Sequence, residues 1–426
     1  MNTKSWKGIR RFAVFGIMTF FLVVSGVWQN ASGVARAHNS TLIAPLVEKG
    51  HPVDWWFVFK LNAKVFPGCG TERDTRACIF GGEIQNYTYG QQYLYASNES
   101  PTLKQGKGCV GDTLADPVGA TFDEVYGSKI SYVVWNDQFY GDPPIKGCTD
   151  SCSSPWGHSK GLLAWNESGE GLVMQVTTPS WPGSGSKANP RVSDGNTLGC
   201  IKDDNVLVSQ HFFALRLNKD DVVQVLNALI NASVVTNPSN AQIVKNGGPQ
   251  EIQSLVSKLG KKTTGRLTTK VQLSSGVTLI SKPSNLNVPP WQLISAMLGG
   301  VSLRTATWWA RPTIPSTTDT TSIDCWNDSL GKPGAVAIAT SGQWGGSKFN
   351  LKGGPGSNFN HAKIGVATSG GNPLAIFGDM NQQGALSGPN CKSSQNGRGG
   401  LFYVIEDKAL SASIMQLISG DTAPTQ

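Results

Sequence analysis

The chain has 426 residues, 39% hydrophobic and 15% charged, which is ordinary globular composition with room for one or two large cores. Fifty glycines and thirteen tryptophans point to many tight loops and argue against a simple helical bundle. The formal net charge of +8 would suggest an acidic partner, but much of it sits at the very start of the chain.

Lys4, Lys7, Arg10 and Arg11 precede an apolar run at 12–28, and Ala35-Arg36-Ala37 offers small residues where a signal peptidase reads. The pattern predicts a secretory signal over residues 1–37; an uncleaved anchor is the competing reading. This segment holds five basic residues and no acidic one, so cleavage takes the charge from +8 to +3. Basicity alone therefore does not argue for nucleic acid. No later stretch is apolar enough to span a bilayer, so no stable membrane association is expected after cleavage. The protein is expected to be secreted or periplasmic. All eight cysteines, at 69, 78, 109, 148, 152, 200, 325 and 391, follow residue 37. An even count in an exported chain favours disulfides, and Cys325 with Cys391 is the predicted pair. With no Cys-x-x-Cys and no histidine among the cysteines, a zinc site is not expected.

VDWWFVFK (53–60) reads as a strand, and 67–112 as loops and hairpin arms. Strands follow at 130–138, 171–182 and 206–217. The texture changes at Asn218, where Asp220 and Asp221 mark a helix start. Helices are also expected from Pro249 to Gly260, at 289–298 and at 407–418, with strands at 302–310 and 335–340. Strands and helices in both parts predict an α/β fold of two related lobes, 38–217 and 218–426.

Each lobe contains a His-x-Lys running into an apolar segment: GHSKGLLAWN (157–166) and HAKIGVA (361–367), the latter followed by LAIFGDMN (374–381). If these residues lie on strands, His158 and Lys160 share a face, as do His361 and Lys363. Two imidazole–ammonium pairs from opposite lobes suit a phosphodiester. Lysines neutralise charge on the non-bridging oxygens. A neutral imidazole attacks phosphorus, and a protonated one hands a proton to the leaving oxygen. No metal or other cofactor is needed for that chemistry.

VDWWFVFK, WNDQ, GHSKGLLAWN, WQLISAMLGG with TATWWA, and HAKIGVA with FGDMNQQG resemble, in that order, the deoxyribonuclease II family, from about residue 51 to about 405. The resemblance implies a phospholipase D-like fold of two pseudo-symmetric αβα sandwich lobes with one site between them. It also implies metal-independent cleavage of DNA at acid pH, leaving 3′-phosphate ends, and a homodimer. His158 would be the nucleophile and His361 the general acid, although near two-fold symmetry leaves the reverse open. Lys160 and Lys363 would bind phosphate, and Asn381 would position it. Phospholipase D motifs carry an Asp seven residues after the His; Trp165 and Thr368 stand there instead. Asp379 is the candidate to orient His361, and Glu167 a weaker one near the first strand.

Competing readings are a phospholipase D-like lipid phosphodiesterase and a non-catalytic, aromatic-rich binding protein. His211 reads as packing, and His38 and His51 as solvent-facing. The cluster Lys245, Lys258, Lys261, Lys262, Arg266 and Lys270 could follow a DNA backbone but reads more readily as a solvated face. Trp55, Trp56, Trp308 and Trp309 could stack on bases but read more readily as core.

Overall fold

Apolar runs in the two parts of the chain build two sheets that meet face to face. A computed structural model describes residues 43–67, 92–111, 113–139, 145–148, 151–179 and 207–426; the leader, His38, Cys69, Cys78 and Cys200 lie outside them. A short pair, β1 (Leu46–Glu48) and β2 (His51–Pro52), is followed by β3 (Trp55–Lys60), β4 (Tyr93–Ser97), β5 (Ser100–Gln105) and α1 (Pro117–Gly127). Next come β6 (Ser131–Asn136), β7 (Lys160–Trp165), β8 (Gly171–Val176), β9 (Gln210–Leu217), α2 (Lys219–Asn231), β10 (Val244–Lys245) and α3 (Gln250–Val256). The later part holds β11 (Thr269–Gln272), β12 (Thr278–Lys282), α4 (Pro290–Met297), β13 (Leu303–Ala306), β14 (Val336–Ile338) and the hairpin of β15 (Ser341–Trp344) and β16 (Ser347–Asn350). It ends with β17 (Ile364–Ala367), β18 (Leu374–Gly378), β19 (Gly400–Glu406) and α5 (Lys408–Leu417).

The first sheet has the order β10-β6-β7-β8-β9-β3-β4-β5 and the second β11-β12-β19-β18-β17-β13-β14. Every neighbouring pair is antiparallel except β13 with β14. The fold is mixed α/β, and residues 40–426 form one compact unit.

β3 is buried throughout and apolar up to Lys60, because both its faces are covered. Phe57 stacks on Phe377 of β18 with ring centroids 4.5 Å apart, while its neighbour Trp56 points the other way and donates to Thr121 Oγ1 of α1 at 3.0 Å. In the second sheet, Phe377 and Tyr403 both meet Phe213 of β9. The next residue on β19, Phe402, turns outward against Trp291 of α4. A path through the middle thus crosses α1, the first sheet, the second sheet and α4. Each large side chain so buried is worth about 1.5–3 kcal/mol relative to exposure.

Helix starts follow local chemistry. Asn218 caps α2 in a reciprocal box with Asp221. Asp116 accepts from Gly119 N–H at 2.8 Å and precedes Pro117 at the first turn of α1. The predicted 249–260 helix is shorter, ending at Val256. Disulfides join Cys325 to Cys391, as expected, and Cys148 to Cys152. Among the described residues no helix is long and apolar enough to cross a membrane.

Candidate active site

Both histidines lie just before their strands rather than on them: β7 begins at Lys160 and β17 at Ile364. Alternation along a strand therefore does not set their direction. Reciprocal hydrogen bonds between the two parts of the chain do. His158 N–H donates to Gly399 O and His361 N–H to Ser209 O, each at 2.7 Å. Each imidazole is also held from across: His158 Nδ1 meets the Asp379 carbonyl at 2.7 Å, and His361 Nδ1 lies 3.4 Å from Gln210 Nε2. Gly157 and Gly399 both press against the Ala232 carbonyl; a Cβ would come within 2.6 Å or 2.2 Å of it, so neither position admits a larger residue unchanged.

The carbonyl partner fixes the proton of His158. A carbonyl only accepts, so His158 Nδ1 carries the hydrogen and the neutral ring leaves its Nε2 lone pair free. Thr177 Oγ1 donates to Gln210 Oε1 at 2.5 Å, which turns the amide nitrogen toward His361. Both rings are almost wholly buried, at 6% and 9% exposure. Burial, followed by the lysine charges, holds both well below the usual histidine range. Lys363 acts on His158 and Lys160 on His361, so the two pairs share one electrostatic environment. The edge of Trp308 packs against the His361 ring, with centroids 4.8 Å apart.

The lysines differ in their partners. Lys160 Nζ lies 2.5 Å from Asp137 Oδ1, and Arg398 Nη2 lies 2.7 Å from Asp137 Oδ2, all three side chains being buried. Burial alone would raise the Asp137 carboxyl, but Lys160 and Arg398 overcome it and hold the group ionised. Arg398 also donates to the Trp156 and Gly157 carbonyls. Its own carbonyl and that of Asn396 each accept from buried Lys282 Nζ at 2.7 Å. Lys363 Nζ, by contrast, donates to the His361 carbonyl at 2.6 Å and meets no carboxylate among the described residues. Burial first, then Lys160, pushes Lys363 well below the usual lysine range.

Asp379 was the expected orienter of His361. It instead orients His158, through its backbone. Its carboxylate accepts from Leu401 N–H at 2.8 Å and Gln175 Nε2 at 3.0 Å, and burial pushes it up to about 7. His211, expected to be mere packing, accepts from Lys363 N–H at 3.1 Å and lies 3.4 Å from Gln175 Oε1. A buried relay thus runs from Lys363 through His211 and Gln175 to Asp379.

Sequence reasoning missed Asp137, Arg398, Gln175, Gln210 and this role of His211. Polar residues inside the apolar strands β8 and β9 were the available signal for Gln175, Gln210 and His211. Arg398, among glycines, offered none. Asn381 is buried, with its amide nitrogen on Gln383 Oε1 at 2.8 Å and its Oδ1 without a partner among the described residues. Glu167 is exposed. Trp55 and Trp56 are core, whereas Trp308 and Trp309 are half-buried. His51 is exposed, as expected, and meets Glu99. Among the described residues no group of three or more His, Cys, Asp or Glu side chains is arranged to hold a metal ion.

An imidazole with a bare Nε2, a second buried imidazole and two buried lysines make an arrangement suited to displacement at a phosphoryl centre. The chain matches the family model described as Deoxyribonuclease II over residues 45–422. It is 23% identical over 400 residues to cell-death-related nuclease 7 of Caenorhabditis elegans, covering 92% of this chain and 88% of that protein. It is 28% identical over 144 residues to deoxyribonuclease-2-alpha of Bos taurus, 33% of each chain. With the Rattus norvegicus protein of that name it shares 28% over 163 residues, 36% of this chain and 40% of the relative. The match to these two mammalian proteins thus spans well under half their length.

Proposed function

The chain belongs to the deoxyribonuclease II family, and on that premise we propose that it is an exported endodeoxyribonuclease that cleaves DNA without a metal ion through a phosphohistidine intermediate. The observation that supports this reading is the seating of His158: the Asp379 carbonyl holds its Nδ1 at 2.7 Å and leaves Nε2 bare, with His361, Lys160 and Lys363 in the same buried electrostatic environment. His158 Nε2 attacks phosphorus as the bond to the 5′-oxygen breaks, and His361 supplies that oxygen with a proton. Water then attacks the phosphohistidine, His361 takes a proton from it, and a 3′-phosphate leaves. Lys363 and Lys160 offset the charge on the non-bridging oxygens, and Asn381 contributes a polar contact beside them. Burial keeps both imidazoles neutral, so protonation of His361 requires falling pH or an entering phosphate anion. That favours acid conditions.

The two sheets are read as the two pseudo-symmetric halves of a phospholipase D-like fold, each giving one His-x-Lys. The disulfides fit an oxidising compartment outside the cytoplasm, and a homodimer follows from the family resemblance. Nicking of plasmid DNA in EDTA, followed by mass spectrometry of an acid-quenched reaction, tests the proposal. The expected result is nicking with phosphate on His158. Phosphate on His361 reverses the roles, and no nicking in EDTA rejects the reaction. Turnover of phosphatidylcholine vesicles rather than DNA would favour a lipid phosphodiesterase.

A further inference from the structure

A DNA substrate is far longer than a site built for one phosphate, so the rest of the polyanion needs a surface. Residues 252–318 contain no Asp or Glu, and Lys258, Lys261, Lys262 and Arg266 stand exposed within that span. None of the four has a carboxylate partner among the described residues. Exposed cations are common on solvated loops, but this loop is built and placed in a particular way.

Its backbone is pinned from below. Thr263 N–H donates to Ser233 Oγ at 3.0 Å, Asn285 Nδ2 to the Thr263 carbonyl at 2.7 Å, and Asn231 Nδ2 to the Leu267 carbonyl at 3.1 Å. The residue that holds Thr263 also holds the site: the Ser233 carbonyl accepts from Gly157 N–H at 2.9 Å, next to His158. Lys262 Nζ stands 5.1 Å from the ring centroid of Trp156, on that same segment. Lys262, in the run of cations, therefore stands against the segment that leads into His158. A lipid surface would need apolar anchors beside the charges. Leu267, 81% exposed, is the one exposed large apolar side chain among the described residues.

We propose that Lys261, Lys262 and Arg266 form a phosphate-binding track that holds the DNA backbone beyond the cleaved bond. The inference rests on the nuclease reading above. Phosphate contacts position the duplex without reading its sequence, and each displaces bound counterions.

The test is the triple variant Lys261→Gln/Lys262→Gln/Arg266→Gln, with Lys104→Gln, on the far strand of the first sheet, as control. In a His158→Ala background, anisotropy of a labelled duplex should show binding weakened by about tenfold or more. The slope of log affinity against log salt should become shallower by about 0.9 for each phosphate no longer neutralised. In the otherwise unchanged protein, KM for plasmid should rise with kcat retained, and turnover of a nitrophenyl mononucleotide ester, too short to reach the loop, should be unchanged. An unaltered salt slope overturns the track. So does an equal loss on the short ester, which would mark a structural defect, or a loss seen with phosphatidylserine vesicles and not with duplex. Should the unmodified protein fail to nick DNA, the nuclease reading falls while the binding slope still decides the track.

Discussion

Lys160 is locked between its strand and a buried carboxylate that Arg398 also holds, whereas Lys363, in the matching motif, has only the carbonyl of His361 two residues earlier. The same three-residue spacing thus produces two different cations. One is a member of a compensated cluster, in which removing any partner leaves a buried charge exposed to desolvation. The other meets no carboxylate among the described residues and donates to a backbone carbonyl instead. The imidazoles divide in parallel: a backbone carbonyl faces Nδ1 of one and a side-chain amide faces Nδ1 of the other. The two motifs are alike in sequence and unlike in surroundings.

The largest effect should come from setting the histidines against leaving groups of different quality. His158→Ala should abolish both DNA nicking and hydrolysis of a nitrophenyl ester, by about 10³-fold or more. His361→Ala should abolish nicking alike yet keep a single-turnover burst of nitrophenolate, which departs without a proton, while steady turnover falls because the second step has lost its base. An equal loss of that burst in both variants would break the division of roles.

A smaller effect should separate the lysines by stability. Lys160→Met leaves Asp137 with one partner instead of two and should lower the unfolding free energy by about 3 kcal/mol in urea titrations. Lys363→Met should be neutral or stabilising, since it removes a buried charge with no carboxylate partner. Equal falls would erase the contrast.

Next comes pH. Asp379 is raised from its ordinary value to about 7, so between those values the native state holds a proton that the unfolded chain has released. Its contribution to stability is therefore full at acid pH and is lost as pH rises toward about 7, by up to roughly 4 kcal/mol. The buried histidines act in the opposite sense below the usual histidine range. The variant must therefore be compared with its parent: Asp379→Asn should gain stability relative to the parent at about pH 8 and not at about pH 4. A constant difference across pH would contradict this. Smallest of all, His211→Phe deletes the acceptor for Lys363 N–H, and kcat should fall by about fivefold with KM unchanged, the size of one ordinary hydrogen bond.

The strands that carry the site were legible, because buried strands read as unbroken apolar runs and these end at the site residues. The spacing of the two motifs was legible for the same reason. The direction of the imidazoles was not: His158 and His361 sit in irregular lead-ins whose geometry is set by carbonyls more than two hundred residues away in one case and about one hundred and fifty in the other. Local periodicity has no access to such partners. Asp137 could not be paired with Arg398 for that reason, since 261 residues separate them. The α1 helix had a readable start in Asp116-Pro117, a capping residue followed by proline.

Arg398 comes late in the chain, after all four residues of the paired motifs. A nascent polypeptide truncated just before it already contains both histidines and both lysines, but lacks the guanidinium that completes the cluster around Asp137 and the Gly399 carbonyl that anchors His158. Assembly of the cluster therefore waits until Arg398 and Gly399 have been made, and fragments released before them carry both His-x-Lys pairs without the contacts that aim them.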